Sequence, residues 1–138
     1  MKYYIGNIVP EKDTIFVFGS NPEGRHGAGS ARVAVTQFGA KYGQGEGLQG
    51  SAYALPTTDL RSFDLMPLSE ITENIKKMYQ CAREHPNLNF KVAYRNQPNE
   101  VTLCGYSGAE LQKCFKDAGE IPNNVWFSKE WYDSGNLA

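Results

Sequence analysis

The feature that most constrains the fold of this 138-residue chain is a continuous apolar run that leads directly into a glycine-rich loop. The run Thr14–Gly19 has the sequence TIFVFG, and a strand this apolar is typical of an α/β sheet covered on both faces. The loop that follows, 20–29 (SNPEGRHGAG, the first glycine loop), leads into Ser30–Phe38, where apolar residues recur at helical spacing. This succession of strand, loop and helix predicts an α/β fold.

Strand and helix patterns alternate along the remainder of the chain. Further strands are predicted over Tyr3–Ile8, Ser51–Pro56, Phe90–Tyr94 and Val125–Phe127, and further helices over Ser69–Glu84 and Ala109–Ala118. The stretches Gly39–Gly50 and Thr57–Pro67 are predicted loops. This order of elements predicts a single three-layer α/β/α sandwich with a mixed, mostly parallel sheet.

The chain is predicted to form one domain over residues 1–132, because the sequence shows no linker, repeat or low-complexity block. Residues 133–138 (DSGNLA) have the composition of a flexible C-terminal tail. No apolar stretch is long enough to span a bilayer, and the N-terminus lacks the apolar core of a signal peptide. We therefore expect a cytoplasmic protein with no membrane partner.

Charge and cysteine content narrow the classes of function. The formal net charge is −1 and charged residues make up 21% of the chain, so the sequence has no strong nucleic-acid signature. The three cysteines, Cys81, Cys104 and Cys114, are odd in number and irregularly spaced, which argues against a disulfide framework and against a zinc site. The sequence indicates neither a metal nor a cofactor.

The first glycine loop is the strongest candidate for a binding site. Glycines let the backbone approach a ligand closely, and the helix N-terminus behind the loop offers unpaired N–H groups and partial positive charge, as a diphosphate cradle requires. Asn21 and His26 add an amide and a titratable ring. The structural alternatives stay open: the glycines shape a tight connection, Asn21 forms a turn or a cap, and His26 is a structural hydrogen-bonding residue.

Two further glycine clusters are secondary candidates. In Gly39–Gly50, the second glycine loop, Tyr42 and Gln44 are available to a base or a ribose, unless the segment is a mobile surface connection. In Thr102–Gly108, the third glycine loop, the backbone amides from Gly105 to Gly108 are candidates for capping a phosphate, and Tyr106 for stacking on a ring. Within it, Cys104 is predicted to be a small buried thiol rather than a nucleophile.

Several short strings resemble macrodomains. Ile5-Gly6-Asn7-Ile8, Asp13–Val17 and Gly19-Ser20-Asn21 are similar to the opening strands and loop of that family. Gly19–Asn21 followed by Gly24–Gly29 (GRHGAG) resembles a small bacterial and phage group of macrodomain-like proteins. The same group shows strings similar to those at Phe38–Ala40, Gly47–Gly50 and Tyr53–Thr57. The likeness covers roughly the first 58 residues; Tyr94–Glu100 departs from the family's second glycine turn, where only Gly105, Tyr106 and Gly108 match.

The resemblance implies an ADP-ribose-like ligand. Asn21 matches the family's asparagine that contacts the distal ribose, and Asn7 stands where the family has an aspartate that binds the adenine amino group. The residues then expected to contact ligand are Asn7, Ser20, Asn21, Gly24, Arg25, Gly27, Ala28, Gly29, Gly105, Tyr106, Ser107 and Gly108.

Three functions remain open from the sequence. The first is hydrolysis of an ADP-ribose derivative, either as an ADP-ribosyl hydrolase or as an ADP-ribose-phosphate phosphatase, with Asn21 holding the ribose and His26 as acid or base. The second is a non-catalytic module that senses or sequesters ADP-ribose or a signalling nucleotide. The third is a protein-interaction scaffold. The expected partner is an ADP-ribose-like small molecule or an ADP-ribosylated substrate.

Overall fold

The computed structural model describes residues 1–60 and 64–138, so the predicted loop Thr57–Pro67 lies partly outside the described residues. The strands are Lys2–Tyr4 (β1), Thr14–Ser20 (β2), Gly47–Gln49 (β3), Ala52–Pro56 (β4), Asn89–Val92 (β5) and Val125–Ser128 (β6). The helices are Gly29–Phe38 (α1), Leu68–Glu84 (α2), Gly108–Asp117 (α3) and Lys129–Ser134 (α4).

The strands form one sheet in the order β1-β6-β5-β2-β4-β3. All neighbouring pairs are parallel except the pair of β3 and β4 at one edge. The central strand β2 pairs through Phe16 with Ala52 of β4 and with Lys91 of β5. The predicted α/β sandwich with a mixed, mostly parallel sheet is confirmed, and it brings the carboxyl ends of β2, β4 and β5 to one edge of the sheet.

Each face of β2 packs into a different apolar cluster. Ile15 and Val17 join the cluster that contains the buried faces of α2 and α3, whereas Phe16 and Phe18 join the cluster that contains α1. The Phe16 ring stacks on Phe38 of α1 with ring centroids 4.5 Å apart. Burial on both faces explains why the sequence of β2 is continuously apolar.

The helix α2 has the strongest amphipathic pattern in the sequence. Its buried residues include Ile71, Ile75, Met78 and Ala82, as the spacing predicts, and His85 follows as the C-cap residue just before Pro86. Among the helices of the described residues, none combines the length and the apolar character that a membrane span requires.

Two elements differ from the sequence-based expectation near the sheet edges. The strand β3 lies inside the second glycine loop, a segment that the sequence predicts to be a loop throughout. The strand pairs through Leu48 with Tyr53 of β4. A glycine-rich segment has low strand propensity, so this pairing depends on tertiary contacts. At the opposite edge, β1 ends at Tyr4 rather than at Ile8, because the chain leaves the sheet at Gly6 with a φ of 75°.

The C-terminal residues also differ from the predicted flexible tail. Asp133 and Ser134 belong to α4, whose Trp131 is fully buried. Leu137 is 5% exposed and packs in the α2–α3 cluster. The polar composition of residues 133–138 does not indicate that Leu137 is buried, because composition does not report where a single leucine packs.

Truncating Leu137 tests whether the C-terminal residues are docked. Leu137→Ala removes buried methyl groups and leaves a cavity, so we expect the free energy of unfolding to fall by about 2–4 kcal/mol in a urea titration. Leu103→Ala is the control, because Leu103 is 88% exposed. Equal stability of Leu137→Ala and the unsubstituted protein would show that the tail is not part of the core.

Candidate functional site

A cleft opens at the carboxyl ends of β2, β4 and β5. Its volume is about 480 Å³, which suits a small organic ligand. The residues that line it come from the first glycine loop, from the start of α1, and from the segments that follow β4 and β5 and precede α3. They are Gly19, Ser20, Asn21, Arg25, Ala28, Ser30, Ala31, Thr57, Thr58, Leu60, Ala93, Tyr94, Asn96, Thr102, Leu103 and Cys104.

Two smaller cavities adjoin this cleft. The Asn7 cavity, of about 380 Å³, shares Ser30 and Ala93 with the cleft and extends between α1 and the segment after β1. Asn7 lines it, and the Asn7 side-chain oxygen accepts a hydrogen bond of 3.0 Å from Arg95. The second is called the acidic cavity because Asp59 and Asp64 line it. Its volume is about 260 Å³, and it shares Leu103 and Cys104 with the cleft. The three cavities therefore lie side by side.

The helix α1 begins at the wall of the cleft with a free N-terminus. Its N-cap is Ala28, which provides no side-chain cap, and its first turn contains no acidic residue. No hydrogen bond within the described residues uses the amides of Gly29, Ser30 or Ala31. By contrast, α3 and α4 are capped by the hydroxyls of Ser107 and Ser128. The helix α2 also lacks a side-chain cap, but it has Glu70 in its first turn and does not line the cleft. The start of α1 therefore keeps both its N–H donors and its partial positive charge available.

The polar side chains of the first glycine loop organise the loop itself. The Asn21 side-chain oxygen Oδ1 accepts a hydrogen bond from the Arg25 amide at 2.9 Å, and the Asn21 side-chain NH₂ donates to the Arg25 carbonyl at 3.0 Å. The Ser20 hydroxyl donates to the carbonyl of Gly45 at 2.8 Å. Both residues also line the cleft. Since an amide has two N–H donors, Asn21 keeps one after forming the turn.

His26 lies behind the first glycine loop and does not line the cleft. It is 3% exposed, its Nε2 donates to the Gln44 carbonyl at 2.8 Å, and the Phe18 ring lies 5.0 Å away edge to face. Its Nδ1 is buried with no hydrogen-bond partner among the described residues. The structure therefore corrects the interpretation of His26 as an acid or base at the ligand. The ring is buried because it fills the space between β2 and the second glycine loop.

The second glycine loop supports the first one from behind and is not a wall of the cleft. A Cβ atom on Gly45 would lie 2.3 Å from the Asn21 carbonyl oxygen, and one on Gly24 would lie 2.3 Å from the Gly43 carbonyl carbon. These two glycines therefore permit the two backbones to touch. Tyr42 is exposed, and neither it nor Gln44 reaches the cleft.

Gly27 and Gly29 differ from each other in their surroundings. A Cβ atom on Gly27 would meet nothing within 4 Å, and Gly27 does not line the cleft. Gly29 has a φ of 59°, and a Cβ atom there would lie 2.8 Å from the exposed Leu103 side chain. Gly29 therefore allows the third glycine loop to come close to the start of α1.

In the third glycine loop, three of the four amides from Gly105 to Gly108 are used within the protein, and that of Gly105 donates to the Thr102 carbonyl at 3.0 Å. The amide of Ser107 donates to the side chain of Glu110, which completes a capping box, and the amide of Gly108 donates to the Glu100 carbonyl at 2.9 Å. Tyr106 donates its hydroxyl proton to the Met66 carbonyl at 2.6 Å. The predicted phosphate contacts of Ser107 and Gly108 and the stacking role of Tyr106 are therefore not supported. Of this group, only Gly105 lines one of the three cavities described above, the acidic one.

Hydroxyl groups that follow β4 and β5 also line the cleft, and the sequence did not single them out. The Thr57 hydroxyl lies 3.0 Å from the Tyr94 hydroxyl. Burial raises the pKa of the Tyr94 phenol well above its usual range, and nearby Cys104 raises it further. Tyr94 thus stays protonated at physiological pH. Cys104 is buried, as predicted, and lies 3.0 Å from the Thr102 hydroxyl.

Two carboxylates lie beside the cleft rather than in it. Among the described residues that line the cleft there is no carboxylate and no histidine. Asp59 and Asp64 line the acidic cavity. No group of three or more metal-binding side chains occurs in the described parts of the chain. Comparison with protein-family models, with curated proteins and with solved structures found no significant match.

The buried position of His26 predicts a stability effect for its removal. His26→Ala removes a buried ring and the hydrogen bond to Gln44, so the free energy of unfolding should fall by about 2–4 kcal/mol in a urea titration. Arg25→Ala is the control, because the neighbouring Arg25 side chain is exposed. A His26→Ala protein as stable as this control would contradict the structural role assigned to the ring.

Proposed function

We propose that the protein binds ADP-ribose or a closely related nucleotide in the cleft. The observation that carries this proposal is the uncapped N-terminus of α1, which opens into the cleft at the carboxyl edge of the sheet. A helix N-terminus of this kind stabilises a phosphate through its free amides and its partial positive charge. The described residues that line the cleft include no carboxylate that would repel an anion, and Arg25 contributes a cation.

The Asn7 cavity supports a nucleotide rather than a simple phosphate, and in this proposal it is called the base-side cavity. Ile8, Phe16 and Val33 contribute apolar surface there, and the Asn7 amide lies among them as a hydrogen-bonding group. A planar base needs this combination of apolar walls and a few fixed polar groups. Because Ser30 lines both this cavity and the cleft, a base placed here leaves its phosphates beside the start of α1.

The remaining part of the cleft suits the distal ribose. Asn21 lines it and retains an N–H donor, which agrees with the role that the macrodomain resemblance implies for this residue. The order of base, diphosphate and ribose in ADP-ribose then follows the base-side cavity, the α1 N-terminus and the Asn21 region. The macrodomain-like strings of the sequence and the α/β/α fold support the same ligand class.

Hydrolysis of a group attached to the distal ribose is the second candidate function. The observation that favours it is the acidic cavity, where Asp59 and Asp64 lie next to the cleft. A carboxylate at this end could take a proton from an attacking water. The non-catalytic binding module needs no such group. Turnover of an ADP-ribosylated peptide by the wild type, lost in Asp59→Asn but not in Asp117→Asn, would support the hydrolase.

A charge placed at the start of α1 tests the phosphate site. Ala28→Asp should cap the helix and raise the free energy of unfolding by about 0.5–1 kcal/mol, because Ala28 already has the extended conformation of an N-cap residue. The same carboxylate should occupy the free amides and repel a diphosphate. We therefore expect calorimetric affinity for ADP-ribose to fall by at least about tenfold.

Ala28→Ser is the matched variant, since its hydroxyl caps the helix without adding charge. Its affinity for ADP-ribose should fall less than that of Ala28→Asp. A wild type that binds none of ADP-ribose, ADP and AMP would overturn the proposed function. An Ala28→Asp protein that binds ADP-ribose as tightly as the wild type would show that the ligand does not use the α1 N-terminus.

A further inference from the structure

Tyr94 is held rigidly at the end of β5. Its ring stacks on the fully buried Trp131 with centroids 5.7 Å apart and planes 5° from parallel. Its backbone carbonyl accepts a hydrogen bond from Ser128 at 3.1 Å. Trp131 is fixed in turn, because its indole N–H donates to the Asn96 carbonyl at 2.8 Å. The phenol therefore enters the cleft from the side of the α2–α3 cluster.

The central strand β2 has a glycine at the position that the Tyr94 hydroxyl approaches. A Cβ atom on Gly19 of β2 would lie 2.3 Å from the Tyr94 hydroxyl oxygen and 3.2 Å from the Thr57 hydroxyl oxygen. No side chain is tolerated at position 19 while these hydroxyls keep their places. Position 19 therefore requires a glycine because the two hydroxyls pack against it, and not because the loop needs to be flexible.

The Tyr94 and Thr57 hydroxyls form a pair with spare hydrogen-bonding capacity. Each hydroxyl has one proton, and the 3.0 Å bond between them uses one of the two. One donor and several lone pairs remain, and both residues line the cleft. Because burial raises the pKa of Tyr94, the pair stays uncharged at physiological pH.

The two walls of the cleft therefore differ in charge. The α1 wall offers free amides, a partial positive charge and the Arg25 side chain, whereas the wall formed by the residues after β4 and β5 offers a neutral hydroxyl pair. A terminal phosphate is stabilised by cations and by several converging N–H donors. A sugar hydroxyl both donates and accepts, and neutral hydroxyls match both of these roles.

We propose that the Tyr94–Thr57 hydroxyl pair binds a sugar hydroxyl at the far end of the ligand and makes the site specific for nucleoside diphosphate sugars over nucleoside di- and triphosphates. This inference rests on the proposed function. It identifies Tyr94 and Thr57, which lie outside the glycine loops, as the residues that recognise the sugar at the far end of the ligand.

The test is isothermal calorimetry of the full chain with ADP-ribose, ADP and ATP. The wild type should bind ADP-ribose more tightly than ADP or ATP. Tyr94→Phe keeps the ring on Trp131, and Thr57→Val keeps the shape of the threonine. Each should weaken ADP-ribose binding by about five- to tenfold, the scale of one hydrogen bond, and leave ADP binding within about twofold.

Tyr79→Phe is the matched control. Tyr79 is a fully buried tyrosine whose hydroxyl donates to the Phe115 carbonyl at 2.6 Å, and it does not line the cleft. This variant loses a hydrogen bond of the same kind and should keep the wild-type affinity for all three ligands. If Tyr94→Phe does not fold, Thr57→Val makes the same comparison.

The possible failures are distinguishable. A wild type that binds ADP and ATP as tightly as ADP-ribose would overturn this inference and leave the nucleotide site intact. Equal losses for ADP and ADP-ribose in Tyr94→Phe would overturn it too, because the pair would then contact a phosphate or shape the whole cleft. No loss for ADP-ribose in either variant would also overturn it. A wild type that binds none of the three ligands would overturn the proposed function and this inference together.

Discussion

Burial of β2 on both faces is the constraint on which the rest of the structure depends. Phe16 and Phe18 pack towards α1, and Ile15 and Val17 pack towards α2 and α3, so the strand joins the two apolar clusters. It is also hydrogen-bonded along both edges, to β4 and to β5. A strand held on four sides fixes where its carboxyl end lies relative to its neighbours, and the cleft is formed from those ends.

The first glycine loop is held in one conformation by contacts within the protein. Behind it, Gly24 and Gly45 allow direct backbone contact with the second glycine loop, and hydrogen bonds from Ser20 and His26 join the two. The entropy of ordering the loop is therefore lost on folding rather than on binding. What the loop leaves unsatisfied is the N-terminus of α1, whereas α3 and α4 have serine caps. The helix α2 has no side-chain cap either, but it carries Glu70 in its first turn and does not line the cleft. The position of the free α1 N-terminus at the cleft gives the phosphate proposal its physical basis.

Sequence patterns identified some parts of the site and misassigned others. The first glycine loop was found because its glycines follow a buried strand and precede a helix, and Asn21 does line the cleft. His26 was misassigned, since the direction of a loop side chain depends on what lies behind the loop. The third glycine loop was misassigned because the Glu100 carbonyl and the Glu110 side chain bind its amides. Tyr94 and Thr57 were missed because a single hydroxyl after a strand has no distinctive spacing.

The sequence by itself determined the fold class, the burial of β2 on both faces and the succession of strand, glycine loop and helix beside the cleft, because apolar periodicity and glycine spacing act over neighbouring residues. Only the tertiary structure decided which amides stay free, which way His26 points and how Tyr94 meets Thr57 across 37 residues of chain. It also decided that Gly19 is a packing requirement and that Leu137 is buried. These outcomes depend on contacts between segments distant in the chain, and local patterns carry no record of which segments meet.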